Sequence, residues 1–372
     1  MTTSADLHRT LVDAIDDWRR SPDRPQTWPA ERFRSLAQRL FAYQYSHNEP
    51  YRTLCKGRGV APDQSPDVDA IPAVPTDAFK VAHLFCSTDR PTHTFRTSGT
   101  TGERRGAHHF SRLQTYRRSL LAAFQHFCLQ GPDERLPFAM VAPPAEQLSD
   151  SSLSYMLARL MEDFGTDASR WLVTVDHHGQ WHLDIDAWRR LLDHALEVEQ
   201  PLFCFGTAFG FASLFDLWDG QVALPGGSRL VETGGFKGRF TELTRADLYD
   251  AFQRRLGLQD RQCLSEYSMT ELSSQLYTDA WIADGDPTGR FFAPPWLRIS
   301  IVDPIDFKPL PRGEEGLIRL FDLANIDSVS PIQTSDRGRL HPDGGLTLLG
   351  RAPDADLRGC SLTIEELLNH PD

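Results

Sequence analysis

The feature that most constrains the fold is an alternation of amphipathic segments and short apolar runs through the middle of the chain. Apolar positions recur at helical spacing in some segments, and continuous apolar runs of strand length separate them. The predicted helices are residues 110–130, 151–164 and 187–198, and the predicted strands are 136–142, 171–175 and 201–206. Strands that alternate with helices predict an α/β fold with a parallel sheet covered on both faces.

Two more helices are predicted before this region, between residues 6 and 55. Leu7, Leu11 and Ile15 recur every four residues, and a second helical series begins at Phe33 after a proline-rich break. We expect both helices to pack on the larger α/β body.

The composition fits a globular protein and excludes several functions. The 372 residues, 40% hydrophobic and 24% charged, can form one large α/β domain or two ordinary ones. The sequence has no apolar run of membrane-spanning length and no basic start followed by an apolar stretch, so we expect no membrane partner and a cytoplasmic protein. A formal charge of −12 argues against a nucleic-acid partner.

The cysteines and histidines do not form a metal motif. The six cysteines lack C-x-x-C spacing, so neither a zinc site nor a redox dithiol is predicted, and five are expected to pack as small hydrophobic residues. Residues 176–180, which contain two histidines, are predicted to form the polar turn of a β-hairpin. His108 and His109 are candidate nucleotide-side residues because they closely follow the loop described next.

One loop rich in hydroxyls and glycine predicts anion binding. Its members are Thr97, Ser98, Gly99, Thr100, Thr101 and Gly102. Glycine lets the backbone approach a ligand, hydroxyls donate hydrogen bonds, and successive N–H groups can surround an anion. The loop lacks the lysine of a P-loop and the spacing of a dinucleotide fingerprint. An ordinary surface turn is the alternative interpretation.

The hexamer at 97–102 resembles the phosphate loop of the adenylate-forming superfamily, which includes acyl-CoA ligases and adenylation domains. Residues 71–80, bounded by prolines and ending in Phe79-Lys80, resemble the block before that loop in the acyl-protein synthetases of bacterial luciferase operons. The chain is also similar to short adenylating enzymes of phenazine-antibiotic biosynthesis and to phenylacetate-CoA ligases.

Two further blocks follow in the superfamily's order. A strand that ends in Gly234-Gly235 resembles a wall of the adenine and acyl pockets, where glycine permits close approach of a ligand. Tyr267, Thr270 and Glu271 resemble the adenylate-binding block. That resemblance implies adenine stacking by the tyrosine, an α-phosphate contact by the threonine and Mg²⁺ binding by the glutamate. A strand end followed by a capped helix start is the alternative for this block.

The last two blocks concern the ribose and the hinge. Asp336 lies in a segment that resembles the ribose-binding block, whose carboxylate accepts hydrogen bonds from both hydroxyls. Residues 349–359 resemble the hinge, from which Arg351 would reach the nucleotide. Ser268 and Ser335 depart from the family pattern, which has glycine at both positions.

The resemblance implies an α/β fold, the large N-terminal domain of the adenylate-forming fold with helix-flanked mixed sheets. This domain is expected over residues 1–349 with a helical leader at 1–56, and residues 350–372 as a vestigial hinge and tail in place of the mobile C-terminal domain. That domain carries a lysine that promotes adenylation in the superfamily. Either this lysine is dispensable here, or another cation replaces it, for which Arg104 and Arg105 are the candidates, or a partner supplies it.

The implied function is ATP-dependent activation of a carboxylic acid as acyl-AMP, with Mg²⁺, followed by transfer to a thiol. The acid is aromatic or a fatty acid, and the acceptor is coenzyme A, a carrier protein or a partner reductase. An antibiotic pathway of the phenazine type and an acyl-reduction pathway are both open, as is assembly as a homodimer. The alternative is a catalytically reduced nucleotide-binding regulator or partner protein, suggested by the reduced C-terminal region.

The acid pocket is predicted between residues 203–215 and the Gly234-Gly235 turn. Its expected apolar walls are Phe205, Phe209, Phe211 and Phe215.

Cys360 is a candidate acyl acceptor. It resembles the cysteine near the C-terminus that takes the acyl group in the acyl-protein synthetases. We expect the neighbouring Arg358 to lower its pKa and so raise the thiolate fraction. A buried thiol at the start of a short helix is the alternative.

Overall fold

The structure, a computed structural model, describes residues 2–21, 23–24, 26–87, 90–98, 104–131, 133–234, 244–278, 289–353 and 358–368. The chain divides into two compact units. Unit 1 comprises Met1–Ala123, Met269–Gln275 and Phe292–Asp372, and unit 2 comprises Phe124–Ser268 and Leu276–Phe291. The boundary expected after residue 349 stays a prediction.

The helices follow the apolar periodicity closely, with one exception near the start of the chain. They are α1 Ser4–Arg20, α2 Ala30–His47, α3 Glu49–Gly57, α4 Ala78–Val81, α5 Gln114–Cys128, α6 Ser152–Phe164, α7 Ile185–Glu197, α8 Ala208–Leu217, α9 Arg245–Leu256 and α10 Arg358–Leu368. Residues 6–55 form three helices, so the expectation of two was wrong. Asn48 ends α2 and caps α3, where its side chain accepts a hydrogen bond of 3.1 Å from the Tyr51 N–H.

The strands are short outside the C-terminal part of the chain. They are β1 Val74–Pro75, β2 His93–Arg96, β3 Ala107–Phe110, β4 Phe138–Val141, β5 Arg170–Trp171, β6 Val173–Val175, β7 Trp181–Leu183, β8 Phe203–Thr207, β9 Arg229–Thr233, β10 Cys263–Tyr267, β11 Leu276–Thr278, β12 Phe291–Phe292, β13 Leu297–Val302, β14 Glu315–Asp322, β15 Pro331–Leu340 and β16 Leu346–Arg351. The predicted strand at 171–175 is divided into β5, which pairs with β4, and β6, which pairs with β7.

Unit 2 contains the predicted parallel sheet. Its strand order is β5-β4-β8-β9-β10-β11, parallel except for β11. Trp188 of α7, Phe211 of α8 and Phe252 of α9 share one core cluster with residues of the sheet. On the other face, Phe124 of α5 packs on Phe203 with ring centroids 5.2 Å apart and on Phe164 of α6 at 5.7 Å. Helices therefore cover both faces, as predicted.

A separate hairpin in unit 2 confirms the interpretation of the histidine-rich turn. Strands β6 and β7 pair antiparallel, and the Asp176 N–H donates to the carbonyl of Gln180 at 3.0 Å. The His182 imidazole contacts the Asp176 carboxylate at 2.9 Å.

Unit 1 is built on antiparallel strands. Strands β13, β14, β15 and β16 pair in chain order, and β1 adds to β15 in parallel with Val74 opposite Ile332. Strands β2 and β3 form a hairpin that frames the predicted phosphate loop. The leader helices pack on this body as expected: Trp18 of α1 meets Trp296 edge-on, with ring centroids 5.2 Å apart. Across the described part of the chain, every helix is too short or too polar to cross a membrane.

Candidate functional site

The stem of the predicted phosphate loop is closed by hydrogen bonds between Thr97 and Gly106. The Thr97 N–H donates to the Gly106 carbonyl at 3.0 Å, and the Gly106 N–H donates to Thr97 Oγ1 at 2.8 Å. A Cβ at position 106 would lie 3.1 Å from Thr97 Cγ2, which favours glycine there. Ser98 is exposed at the start of the loop.

Five of the predicted ligand-binding residues lie outside the described residues. They are Gly99, Thr100, Thr101, Gly102 and Gly235.

Arg105 braces the same stem. Its Nε donates to the Thr97 carbonyl at 2.6 Å and its Nη2 to the Arg96 carbonyl at 3.2 Å. These bonds hold the guanidinium against the backbone of the loop, whereas Arg104 is exposed. A role for either arginine in place of the superfamily's lysine stays a prediction.

His108 connects the loop stem to the predicted adenylate-binding block. Its Nδ1 lies 2.8 Å from the Thr270 carbonyl, which can only accept, so we assign the proton to Nδ1. The residue is 1% exposed, and burial lowers the pKa of its imidazole to about 4, so the ring is neutral near pH 7. Phe79 packs edge-on against it, with ring centroids 5.7 Å apart. His108 thus joins three of the sequence blocks.

The backbone around Thr270 and Glu271 is held by side chains that the sequence analysis did not single out. Asn325 Nδ2 donates to the Glu271 carbonyl at 2.7 Å. The Asp322 carboxylate accepts from the Ser273 N–H at 2.9 Å and from the Ser274 hydroxyl at 2.8 Å. Burial raises the pKa of Asp322 to about 6.

The two predicted nucleotide contacts of the C-terminal region lie side by side. Asp336 of β15 is the register partner of Arg351 of β16, and Arg351 Nε lies 3.4 Å from Asp336 Oδ1. The arginine is mostly exposed and the carboxylate partly so. The Thr334 hydroxyl accepts from the Asp336 N–H at 3.1 Å, which fixes the backbone at this point. Sequence spacing alone did not predict this contact.

Unit 2 carries the predicted adenine and acid residues. Tyr267 ends β10, is half-buried and meets Phe291 edge-on with ring centroids 6.0 Å apart. Gly234 directly follows β9 with φ of +82°, a conformation that favours glycine. It is exposed, and a Cβ there would meet no atom within 4 Å, so backbone conformation and not crowding explains this glycine.

The predicted phenylalanine walls divide into core and partly exposed residues. Phe211 and Phe215 pack on Phe252 with ring centroids 5.3 and 5.9 Å apart, inside the core cluster of unit 2. The expectation that they are pocket walls was therefore wrong. Helix α8 is apolar on most of its surface, and its inner side forms part of the core. Phe205 is also fully buried, and Phe209 is half-buried beside Trp181.

Cys360 differs from the expected reactive thiol. It lies in the first turn of α10 and is 6% exposed. Burial, with a smaller contribution from the Asp77 carboxylate, raises the pKa of the thiol to about 11, so the expected lowering was wrong. Arg58 of α3 holds the helix, donating to Thr363 Oγ1 at 2.6 Å and to Glu366 Oε2 at 2.9 Å. The other cysteines are buried, as predicted.

Glu271 suits a magnesium ion that is mainly bound by substrate. No cluster of three or more metal-binding side chains occurs among the described residues. Mg²⁺ needs no such cluster, since it commonly takes one or two carboxylates together with phosphates and water. A single buried carboxylate at Glu271 fits that ligand set.

Solved structures place this architecture in a known class. An open conformation of 2-hydroxyisobutyryl-CoA ligase with 2-HIB-AMP and CoA aligns with a TM-score of 0.62 and 14% identity, over 89% of this chain and 79% of that ligase. ATP-bound MatB from Rhodopseudomonas palustris aligns with a TM-score of 0.50 and 19% identity, over 73% and 50%. The fold is that of the adenylate-forming ligases, as the sequence motifs predicted.

The family follows from the sequence match. The chain belongs to the acyl-protein synthetase family LuxE, which it matches over residues 23–369. A long-chain-fatty-acid–luciferin-component ligase of Vibrio harveyi is 22% identical over 361 residues, 92% of this chain and 90% of that protein. The Aliivibrio fischeri ligase of the same name is 23% identical over 368 residues, 93% and 92%. The chain is therefore an enzyme of the ligase class, and its family supports ATP-dependent acyl activation.

Proposed function

We propose that this enzyme activates a carboxylic acid with ATP and transfers the acyl group to a thiol. In the first step a carboxylate oxygen attacks the α-phosphorus, and the bond to the departing pyrophosphate breaks to leave acyl-AMP. In the second step a thiol sulfur attacks the acyl carbon, AMP departs and a thioester forms. Both steps depend on alignment and charge neutralisation more than on covalent catalysis by the protein.

One observation carries the proposal: three blocks distant in sequence meet at His108. The imidazole packs on Phe79 of the proline-bounded segment and donates to the Thr270 carbonyl, while its own strand continues from the loop stem. A phosphate site that is built from these three blocks requires that they lie close together.

Within unit 1 we assign a role to each candidate. The Thr270 hydroxyl would contact the α-phosphate, and Asp336 would accept hydrogen bonds from the ribose hydroxyls, with Arg351 beside it. Glu271 would hold Mg²⁺, which when bound neutralises phosphate charge. In unit 2, Tyr267 would stack on adenine and Gly234 would let the ligand approach the backbone.

Similar proteins suggest the chemical classes of the substrate acid and of the acyl acceptor. The curated relatives are named for a long-chain fatty acid and a luciferin component, and a structural neighbour holds CoA. We propose an aromatic or fatty acid as substrate and a thiol of coenzyme A, a carrier protein or a partner reductase as acceptor, with Cys360 as a candidate intermediate. A biosynthetic pathway, for an antibiotic or for acyl reduction, fits such a reaction.

Acid-dependent exchange of pyrophosphate into ATP tests the proposal. A panel of aryl and fatty acids should contain at least one that drives exchange, and Glu271→Gln should reduce it by about 10²-fold or more, the scale of a lost preorganised electrostatic contact. Glu31→Gln, an exposed substitution on α2, is the matched control and should leave exchange unchanged. ATP binding without exchange for any acid would instead identify a nucleotide-binding regulator.

A further inference from the structure

A row of polar side chains lies at the carboxyl ends of the parallel strands in unit 2. Thr207 of β8 and Thr233 of β9 are register partners, and Thr233 is in turn the partner of Glu266 in β10. Register partners on neighbouring parallel strands point to the same face, so the three side chains form one row. In open parallel sheets, ligands bind outside this edge.

Two members of the row already have local partners. The Thr207 hydroxyl accepts from the Gly210 N–H at 2.9 Å and so caps α8. The Thr233 hydroxyl donates to Oε2 of Glu266. Ser268, one of the two serines that depart from the family pattern, lowers the pKa of the Glu266 carboxyl and so opposes the effect of burial.

The second carboxyl oxygen of Glu266, Oε1, differs from Oε2 in its hydrogen bonding. Glu266 is 4% exposed, and its Oε1 has no hydrogen-bond partner among the residues that the structure describes. A buried polar atom left without a hydrogen bond destabilises the fold and is rare in native proteins, so this oxygen calls for an explanation. Burial raises the pKa of this carboxyl to about 7, so near neutral pH both its protonated and its ionised forms are present.

Glu232 provides an internal comparison. It lies one residue before Thr233 on the same strand, so its side chain points to the opposite face of the sheet. It is 7% exposed, and its Oε1 accepts a hydrogen bond from the Ser265 hydroxyl. Burial alone therefore does not leave a glutamate oxygen unpaired in this sheet.

We propose that Glu266 is a specificity-determining residue whose Oε1 hydrogen-bonds to a second polar group of the substrate acid, remote from the carboxylate that is activated. This inference rests on the proposed function and narrows its substrate class. A hydroxyl fits best because it both donates and accepts, and so serves Glu266 in either protonation state. An amine serves chiefly the ionised form. An unsubstituted fatty or aryl acid leaves the oxygen unpaired.

Matched acid pairs test this specificity. We would measure kcat/KM for pyrophosphate exchange with benzoate against its 3-hydroxy, 4-hydroxy and 4-amino forms, and with dodecanoate against 12-hydroxydodecanoate. At least one polar member should exceed its plain partner by about tenfold or more, since a site built to hydrogen-bond a substituent rejects the analogue that lacks it. A preferred hydroxy acid should keep its advantage over the plain acid from pH 6 to pH 8. If 4-aminobenzoate is preferred, its advantage over benzoate should increase as the pH rises.

Variants assign the preference to one residue. Glu266→Met should abolish or invert it, and Glu266→Gln, which retains an acceptor, should keep the preference for the hydroxy acid. Glu232→Gln, on the other face, should leave the ratio between the paired acids unchanged. A wild-type enzyme that prefers the plain acids overturns the inference, and so does an unchanged ratio in Glu266→Met.

The role of Glu266 can also be tested without Glu266→Met and without turnover. If Glu266→Met fails to fold, the wild-type ratios and Glu266→Gln decide the question. If no acid drives exchange, the proposed function fails, and calorimetric binding of the same acid pairs decides the Glu266 inference separately. Tighter binding of a polar member supports it, and equal binding overturns it.

Discussion

The His108 imidazole donates a hydrogen bond of 2.8 Å to the carbonyl of Thr270, across 162 residues of sequence. The bond connects the strand that leaves the predicted phosphate loop with the block predicted to bind the α-phosphate and Mg²⁺. Because the ring is buried and neutral, it holds the backbone of Thr270 without adding charge to a phosphate site. We interpret His108 as a positioning residue for Thr270 and Glu271.

Removal of this donor should impair the reaction and the fold. His108→Leu leaves the Thr270 carbonyl unpaired, at a cost of about 1–3 kcal/mol in the free energy of unfolding. We expect kcat for pyrophosphate exchange to fall about tenfold or more with little change in KM for ATP, since a small displacement lowers alignment in the transition state. His108→Asn places an amide near Nδ1 and should restore most of the activity. Equal activity in the two variants would show that the hydrogen bond does not position Thr270.

His108 should also make the free energy of unfolding depend on pH. Its folded pKa of about 4 lies below the ordinary value of 6.5, so between these pH values the unfolded chain binds more protons. Its contribution to stability is therefore complete above pH 6.5 and is lost as the pH falls. From pH 7 to pH 5 the loss amounts to about 2 kcal/mol, at 1.36 kcal/mol per pH unit. Urea denaturation at both pH values should show the advantage of wild type over His108→Asn shrinking by that amount. An advantage independent of pH would contradict the assignment.

Much of the fold could be predicted because periodicity and capping are local. Helix α6 begins one residue after its Ser151 cap, close to the predicted start at 151, and the parallel strands of unit 2 lie where apolar runs occur. The sequence prediction failed where a capping residue starts a new helix inside a periodic segment, or where pairing with a distant strand determines the end of a strand. Asn48 capped a new helix within a continuous periodic pattern, and the strand predicted at 171–175 is divided because β5 pairs with β4 and β6 with β7.

The site was less predictable because its supporting contacts join distant parts of the chain. The motifs located Thr270 and Glu271, but nothing in their sequence shows that Asn325 would donate to the Glu271 carbonyl. The sequence indicated His108 as a candidate only because it lies close to the loop along the chain. The pKa expected for Cys360 was wrong because a flanking arginine is visible in the sequence, whereas the burial of α10 is not.

Asp336 should determine how ribose is recognised. Asp336→Asn keeps the shape but loses the charged acceptor, and we expect ATP affinity to weaken by about 1.5–3 kcal/mol, the range for hydrogen bonds to charged groups. Calorimetry with ATP and with 2′,3′-dideoxy-ATP, which lacks both ribose hydroxyls, distinguishes recognition of these hydroxyls from a general loss of nucleotide affinity. Wild type should discriminate between the two nucleotides, and the variant should discriminate less, because its neutral amide oxygen accepts more weakly than a carboxylate. Asp306→Asn, in an exposed turn, should behave as wild type. Discrimination that is undiminished in Asp336→Asn would make Asp336 a turn residue only.

Cys360 should be a slow nucleophile while α10 stays in place. A pKa of about 11 against an ordinary value near 9 reduces the thiolate fraction at pH 7.5 by about 10²-fold. Iodoacetamide should therefore alkylate Cys360 far more slowly in the folded protein than in urea, as followed by peptide mass spectrometry. Arg58→Ala removes the bonds to Thr363 and Glu366 and should speed the reaction. Cys204, buried in β8 with a pKa raised to about 12 by burial, is the internal reference.

The acyl-acceptor role of Cys360 requires that this protection be overcome during turnover. Incubation with ATP and a competent acid should then yield a hydroxylamine-labile adduct on Cys360, detected by intact mass and absent in Cys360→Ser, while pyrophosphate exchange persists in that variant. If α10 must move, Arg58→Ala should form the adduct faster than wild type at an unchanged rate of exchange. A wild-type protein that exchanges pyrophosphate but never carries the adduct would assign acceptance to coenzyme A, a carrier protein or a partner, and Cys360 would be a packing residue of α10.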